Sequence, residues 1–450
     1  MNALILCCTA LLLSGGSAGT VVTRALVLVH AALESATPAS GDTLTAYPDV
    51  IRLTFSEPIE SKFSNITLKS GSGQVWSLKP RIDPRNVNAL IADFPQLPPG
   101  GYLVGWRVVS ADGHPVGGYY QFYAAVSTEG HPPEHLLMTA PAAPPIPTQA
   151  PSGGPIGTSG EPPVVSALIR GAAQMSLLAL AGLLALVTWG GTERTERLQW
   201  LERVLVVVTP VLLAADFFLW LQHAAPQGQV NFETIIDSFG TQNGAGYALR
   251  VGLAAGAVWA ILLARAPGLA AAFAVLGLVV TGATGHPAAI SPSIAIPGKI
   301  VHLGAAALWT GGLIVLGFGR QSAEGFREDA WRVSRIALIS VVAIALTGAL
   351  ETFLFLPKLG DLFRSTYGWL IIGKLAGLAV LVAFGFRNRY QLMPRMAESG
   401  PGRLQRSVTW ETAWMIGVVM LAGFLAYIPP PPGEGVAMPV SHQHQIMEEH

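Results

Sequence analysis

Trp106-Arg107-Val108-Val109-Ser110-Ala111-Asp112-Gly113-His114-Pro115 is an alternating run that reads as a β-strand and ends where Asp112-Gly113 must turn the chain. Comparable runs flank it: Val50–Phe55, Asn65–Lys69, Ala89–Phe94 and Tyr119–Val126, separated by Gly, Pro, Asn and Asp. About seven such strands in roughly 95 residues predict an all-β sandwich or barrel, immunoglobulin-like, over residues 30–126. Residues 127–163 are dominated by Pro, Ala, Gly and Ser, which cannot build a core and serve as a semi-rigid linker.

The rest of the chain has a different character. Of 450 residues 51% are hydrophobic and 12% charged, with zero formal net charge, against about 25% charged in ordinary soluble domains. This composition predicts a membrane protein with a soluble appendage, and without a basic block no nucleic-acid partner is expected. Eight apolar stretches, roughly 164–189, 203–223, 246–265, 267–285, 298–318, 334–356, 368–386 and 408–428, are each long enough to cross a hydrocarbon core as a helix of about 20 residues. The expected architecture is therefore multidomain, with the all-β domain followed by an all-α eight-helix transmembrane bundle over 164–428. Arg194, Arg197 and Arg203 follow the first stretch, Arg265 the third, Arg320, Arg327, Arg332 and Arg335 the fifth, and Arg387, Arg389, Arg395, Arg403 and Arg406 the seventh. By the positive-inside rule those loops are cytoplasmic, so the β-domain and the tail 429–450 both face the periplasmic side of a bacterial inner membrane. An apolar leader over 1–29, a signal peptide by its position, agrees with export of the β-domain behind it.

The polar exceptions carry the chemistry. Asp112 and His114 stand two residues apart at the turn, and His30 opens the β-domain directly after the leader. Removal of the leader at that point would let the His30 α-amine and imidazole chelate together. With the His114 imidazole and the Asp112 carboxylate they make a tetragonal N,O set, suited to Cu(II). The two cysteines, Cys7 and Cys8, lie in the leader, so thiolate ligation is not expected. Within the bundle, ionisable residues cost about 2.5–3.5 kcal/mol each at the bilayer centre even by the lower estimates. They gather in the outer half: Asp216, His223, His286, His302, Glu351 and Lys374, with Glu411 the inner exception. His302 shares a helical face with Gly298, Ala305, Trp309 and Gly312, small residues suited to close packing, so it looks inward. Lys374, which has no lone pair when charged, fits as the counter-ion of Asp216 or Glu351. Weaker metal candidates are His223 in the bundle, His131, His135 and Met138 in the linker and Met438, His442, His444, Met447 and His450 in the tail, where thioether and imidazole suit copper, including Cu(I).

Both halves carry a resemblance. Residues 30–126 resemble CopC, the periplasmic copper-binding β-domain, through the opening His30, Ser35-x-Thr37-Pro38-Ala39-x-Gly41, Leu53-Thr54-Phe55-Ser56-Glu57-Pro58 and Trp106 through Val116. The resemblance implies a Cu(II) site made by His30, Asp112 and His114. Some CopC proteins also carry a methionine-rich Cu(I) site, but no Met lies between Met1 and Met138 here. Residues 164–428 resemble the CopD copper-resistance family through Thr281-Gly282-Ala283-Thr284-Gly285-His286-Pro287, Val301-His302-Leu303-Gly304 through Leu313, Tyr367-Gly368 with Lys374, Arg387-Asn388-Arg389, and Arg406-Ser407-Val408 with Glu411. A CopC-type domain ahead of a CopD-type domain implies copper import or resistance.

The expected function is capture of Cu(II) outside the membrane and its passage into or across the bilayer, with His286 and His302 as the outer copper site and Asp216, Glu351 and Lys374 setting its charge. Bound copper would be Cu(II) in the β-domain and Cu(I) or Cu(II) in the bundle. No Gly-x-x-x-x-Gly-Lys-Ser/Thr motif is present, so no nucleotide partner is expected and the chain is read as a transporter, not an enzyme. If Cu(II) is captured and Cu(I) moved, an electron donor must come from outside the chain, as would a periplasmic copper chaperone. Two other readings stand beside this one: a haem-binding membrane oxidoreductase with paired axial histidines, and a copper-sequestering protein whose helices are an anchor.

Overall fold

The structure is a computed structural model that describes residues 31–110, 113, 115–125, 164–225, 229–285, 292–319, 322–356 and 360–428. The leader, His30, Asp112, His114, the linker with His131, His135 and Met138, His286, and the tail with Met438, His442, His444, Met447 and His450 lie outside them.

Nine strands form the N-terminal domain: β1 Leu33–Thr37, β2 Thr43–Leu44, β3 Val50–Phe55, β4 Ile59–Ser70, β5 Val75–Leu78, β6 Arg81–Asp83, β7 Asn86–Asp93, β8 Gly100–Ser110 and β9 Pro115–Ala124. They pair as a four-stranded sheet, β1-β3-β7-β6, and a five-stranded sheet, β2-β9-β8-β4-β5. All ladders are antiparallel except β2 with β9. Period-two alternation makes the sandwich: Ile51, Leu53, Phe55, Leu90 and Ala92 of one sheet meet Ile66, Leu68, Val104, Trp106, Val108 and Phe122 of the other in one buried core. The expected sandwich is present. Short β2, β5 and β6 are additions, because strands of two to four residues carry too little alternation to register.

The helical part contains α1 Val164–Thr188, α2 Glu196–Ala224, α3 Phe232–Phe239, α4 Gln242–Leu262, α5 Pro267–Gly282, α6 Pro292–Phe318, α7 Ala323–Phe355, α8 Asp361–Arg364, α9 Thr366–Arg387, α10 Met396–Ser399 and α11 Gly402–Leu425, with a π-helix at Asn388–Leu392 continuing α9. Seven of these are long and apolar enough to cross a membrane, α9 being counted with its π-helical extension, and α5, with 16 residues, is a shorter apolar helix. At 1.5 Å per residue α5 reaches about 24 Å, short of a hydrocarbon core of about 30 Å. It packs between α1, α4 and α6 with Ala270, Ala271, Ala274 and Leu278 buried.

Most helices start before their apolar stretches, while several end short of them. The helix of the fifth stretch begins earlier than expected, at Pro292, a first-turn position whose N–H has no intrahelical partner to lose, while Pro297 lies inside the helix and cannot donate to the carbonyl one turn before it. α1 and α6 form the centre of the bundle. They cross at Gly182 and Gly311, where a Cβ on Gly182 would stand 1.8 Å from the Ala307 carbonyl oxygen, so only glycine admits this contact of backbones.

Candidate functional site

The β-domain sits on the end of the bundle formed by the end of α2 and the start of α4. Arg107 donates to the carbonyls of His223 and Ala224 at 2.6 and 3.0 Å, placing a cation on the C-terminus of α2. Glu60 Oε1 accepts from the Gln242 backbone N–H at 2.8 Å, placing an anion on the N-terminus of α4. Lys62 pairs with Asp237 of α3 at 3.0 Å. Between these charges Phe63 and Val109 pack on Trp220, Leu221, Ala224 and Tyr247. Burial lowers Arg107 and raises Glu60 from their ordinary values, the Gln242 N–H opposing the second shift.

The tightest seam is the turn that carries two of the sequence-derived ligands. Gly113, between Asp112 and His114, accepts from Trp220 Nε1 at 3.0 Å. Its φ is +91°, and a Cβ there would meet Trp220 and the Asn243 side chain at 3.0 Å, so conformation and space both require glycine. The other end of the expected ligand set converges on the same place. Ala31 donates to Glu57 Oε1 at 2.7 Å, Ile59 pairs with Ser110, and Gly113 N–H donates to the Ser110 carbonyl at 2.8 Å. The described neighbours of His30, Asp112 and His114 therefore share one end of the sandwich, and that end faces the bundle.

Because successive long helices alternate in direction, the starts of α1, α4, α6 and α9 share this end with the ends of α2, α5, α7 and α11. Two polar clusters lie inside it. Under the β-domain, Asp216 pairs with Arg170 of α1 at 3.2 Å, and Arg170 lies over the rings of Tyr247 and Tyr427 while Arg250 lies 4.1 Å over Tyr247. Tyr247 stacks in turn on Trp220, ring centroids 5.2 Å apart.

The second cluster joins α6, α7 and α9. Lys299 Nζ reaches Glu351 Oε2 at 3.4 Å, and His302 Nδ1 lies 2.9 Å from Thr347 Oγ1. The Thr347 hydroxyl already donates to the Ala343 carbonyl at 2.7 Å, so Nδ1 carries the proton and donates to Oγ1. Nε2 is left with its lone pair, the state in which imidazole ligates a metal. Glu351 Oε1 is buried with no hydrogen-bond partner among the described residues. The charges of Lys299, Glu351 and Lys374 all act on His302.

The structure thus divides the sequence-derived set. His302, Glu351 and Lys374 come together, and the face of His302 does pack inward: Gly298 and Gly312 approach Leu350 and Val333 of α7. Asp216 stands apart with Arg170. Lys374 makes no ion pair within 4 Å among the described residues; Lys299, one helical turn before His302, holds Glu351 instead. Its signal was its spacing from His302. His223 gives Nδ1 to the Leu219 carbonyl at 2.6 Å and stands near Tyr427. Trp220, Tyr247, Arg170 and α3 were also missed, although the capping box of α3, Asn231 with Thr234, is visible in sequence. Among the described residues no three His, Cys, Asp or Glu side chains group to hold a metal.

Fold and site together define a multi-pass membrane protein with a β-sandwich seated on one end of its helices. The CopC domain family matches residues 33–131 and the family described as Copper resistance protein D matches residues 329–425. Copper transport protein CutJ of Bacillus subtilis (strain 168) is 24% identical over 452 residues, covering 90% of this chain and 75% of CutJ. Copper resistance protein C of Escherichia coli is 34% identical over 115 residues, 23% of this chain and 87% of that protein. Copper resistance protein D of Pseudomonas syringae pv. tomato is 28% identical over 144 residues, 29% of this chain and 46% of that protein. The chain belongs to the CopC and CopD copper transport and resistance family, with both domains in one polypeptide.

Proposed function

We propose that this protein captures Cu(II) at the bundle-facing end of its extracytoplasmic β-domain, through His30, Asp112 and His114, and passes copper into the bundle, where His302 with Glu351 and His286 receives it. The observation that supports this reading is the Trp220 indole N–H donating to the Gly113 carbonyl at 3.0 Å, which holds the residue between Asp112 and His114 on the bundle. A donor site there would need no search by a tethered domain before transfer. His302 Nε2 and Glu351 Oε1 supply two donor atoms without other partners among the described residues, and imidazole accepts either copper valence. Copper arriving beside Lys299 and Lys374 meets two ammonium charges, so its binding is coupled to proton release from one of them. The β-domain side is outer by the distribution of arginines, which follow the odd-numbered stretches.

The test is cellular copper accumulation. Cells carrying the protein are compared with cells carrying His302→Ala, each normalised to membrane protein level. A strong fall supports the reading, and undiminished accumulation refutes it. Reporter fusions at Arg197 and Arg395 should report cytoplasm; a periplasmic signal at either would overturn the orientation.

A further inference from the structure

Copper passage as proposed leaves unused a buried acid whose partners among the described residues are all neutral. Glu411 lies nine residues into α11, roughly 13–14 Å along its axis, and is 4% exposed. Its Oε1 accepts from Trp309 Nε1 at 3.0 Å and its Oε2 from Asn388 Nδ2 at 2.7 Å. Both donors are neutral. The charged groups of every element packed on α11 turn elsewhere. Arg389 donates to Ser334 and lies over Trp331, while Arg387, Glu398, Arg403 and Arg406 are exposed. α1 and α6 carry their ionisable residues, Arg170, Lys299 and His302, toward the opposite end.

An ionised carboxylate so placed, with two neutral donors and no cation, is costly in a membrane interior. Its surroundings also hold acceptors without donors. Asn388 Oδ1 and Ser407 Oγ are buried with no hydrogen-bond partner among the described residues, and Ser407 is one turn from Glu411 on the same face. Neutral Glu411 has an O–H to give, and a half-turn of the Asn388 amide puts Oδ1 where Nδ2 now stands. The same two side chains then satisfy both states: ionised Glu411 accepts from the amide, and neutral Glu411 donates to it. Asn388 opens the π-helix, whose Met393 N–H to Asn388 C=O bond is 2.9 Å, a local break of the kind found at functional positions.

We propose that Glu411, with Asn388, Trp309 and Ser407, is a proton-binding site in the interior of the bundle. Trp309 is seven residues beyond His302 on α6, so the site lies about 10 Å further from the β-domain end. The inference does not depend on copper passing through His302.

The experiment is infrared difference spectroscopy of the full-length, copper-free protein in lipid discs, titrated with acid and base. A protonated-carboxyl C=O band should rise reversibly on acidification, vanish in Glu411→Gln and persist in Glu351→Gln. In Asn388→Leu or Trp309→Phe the band should move to higher frequency, because one hydrogen bond to the carboxyl is gone. A band insensitive to Glu411→Gln overturns the proposal, as does one suppressed by sodium at constant pH, which would make the ligand a metal cation. Should Glu411→Gln fail to accumulate, a band unmoved in both other variants overturns it equally.

Discussion

Asp216 and Glu351 are carboxylates at the same end of the bundle, yet their surroundings differ in kind. Asp216 is 2% exposed, held by Arg170, with the guanidinium groups laid over aromatic rings beneath the β-domain. Glu351 shares its neighbourhood with His302 and keeps one buried oxygen without a partner among the described residues, while His302 keeps the Nε2 lone pair. The Asp216 carboxylate is committed to an ion pair with a guanidinium, and Glu351 holds one oxygen in reserve. Position alone did not separate the two acids; the pairing of their oxygens does.

The largest expected effect breaks the first ion pair. Asp216→Ala leaves the half-buried Arg170 without this carboxylate, a change whose fully buried form costs about 3–5 kcal/mol, and should lower membrane protein level and thermal stability sharply. Glu351→Gln should cost less, because the amide keeps an acceptor for Lys299. Equal damage from the two would erase the distinction between the clusters.

Next come the two lysines around Glu351. Lys299→Ala removes the 3.4 Å ion pair and should destabilise by about 1–3 kcal/mol, because the carboxylate loses a charged hydrogen-bond partner. Lys374→Ala should cost less, since Lys299 remains. Thermal unfolding of the purified variants orders them, and the reverse order would return Lys374 to the role of counter-ion.

Trp220→Phe keeps the ring against Phe63 and Tyr247 but deletes the N–H that holds Gly113. The loss should be about 1 kcal/mol, read as faster amide exchange of Gly113 and Ser110 with the bundle unchanged.

The smallest effect concerns pH at the seam. Burial raises the Glu60 carboxyl above its ordinary value, so docking is favoured when that group is protonated. The contribution is fully present below the carboxyl's ordinary range and is lost as pH rises through the raised value. Cross-linking between Lys62 and Asp237 should accordingly increase on mild acidification, and Glu60→Gln, which keeps an acceptor for Gln242, should flatten the response.

Much of this architecture was legible in the residues, and the limits have physical causes. Val50–Phe55 is a strand to the residue because alternation over six positions is unambiguous. The apolar stretches became helices, but most of them start earlier than hydropathy alone places them. Hydropathy stops at the first charge, whereas the helix of Ala323–Phe355 continues through Glu324, Arg327 and Arg332. The polar residues of the outer half were visible as exceptions. Their partners were not, since Arg170 with Asp216 and Lys299 with Glu351 join helices far apart in sequence. The seam was equally hidden: Arg107 and Glu60 look like surface charges until two helix ends meet them. Its one sequence trace is Gly113, whose need for glycine comes from the other domain.

The most direct measurement is copper accumulated per unit of membrane-inserted protein in wild type and in Thr347→Val/His302→Ala, with Arg170 and Asp216 intact. The account predicts normal insertion and stability near wild type, with accumulation reduced to the level of cells lacking the protein. Wild-type accumulation by the well-inserted variant would contradict it, and copper would have to pass by a route that does not use the α6–α7 cluster.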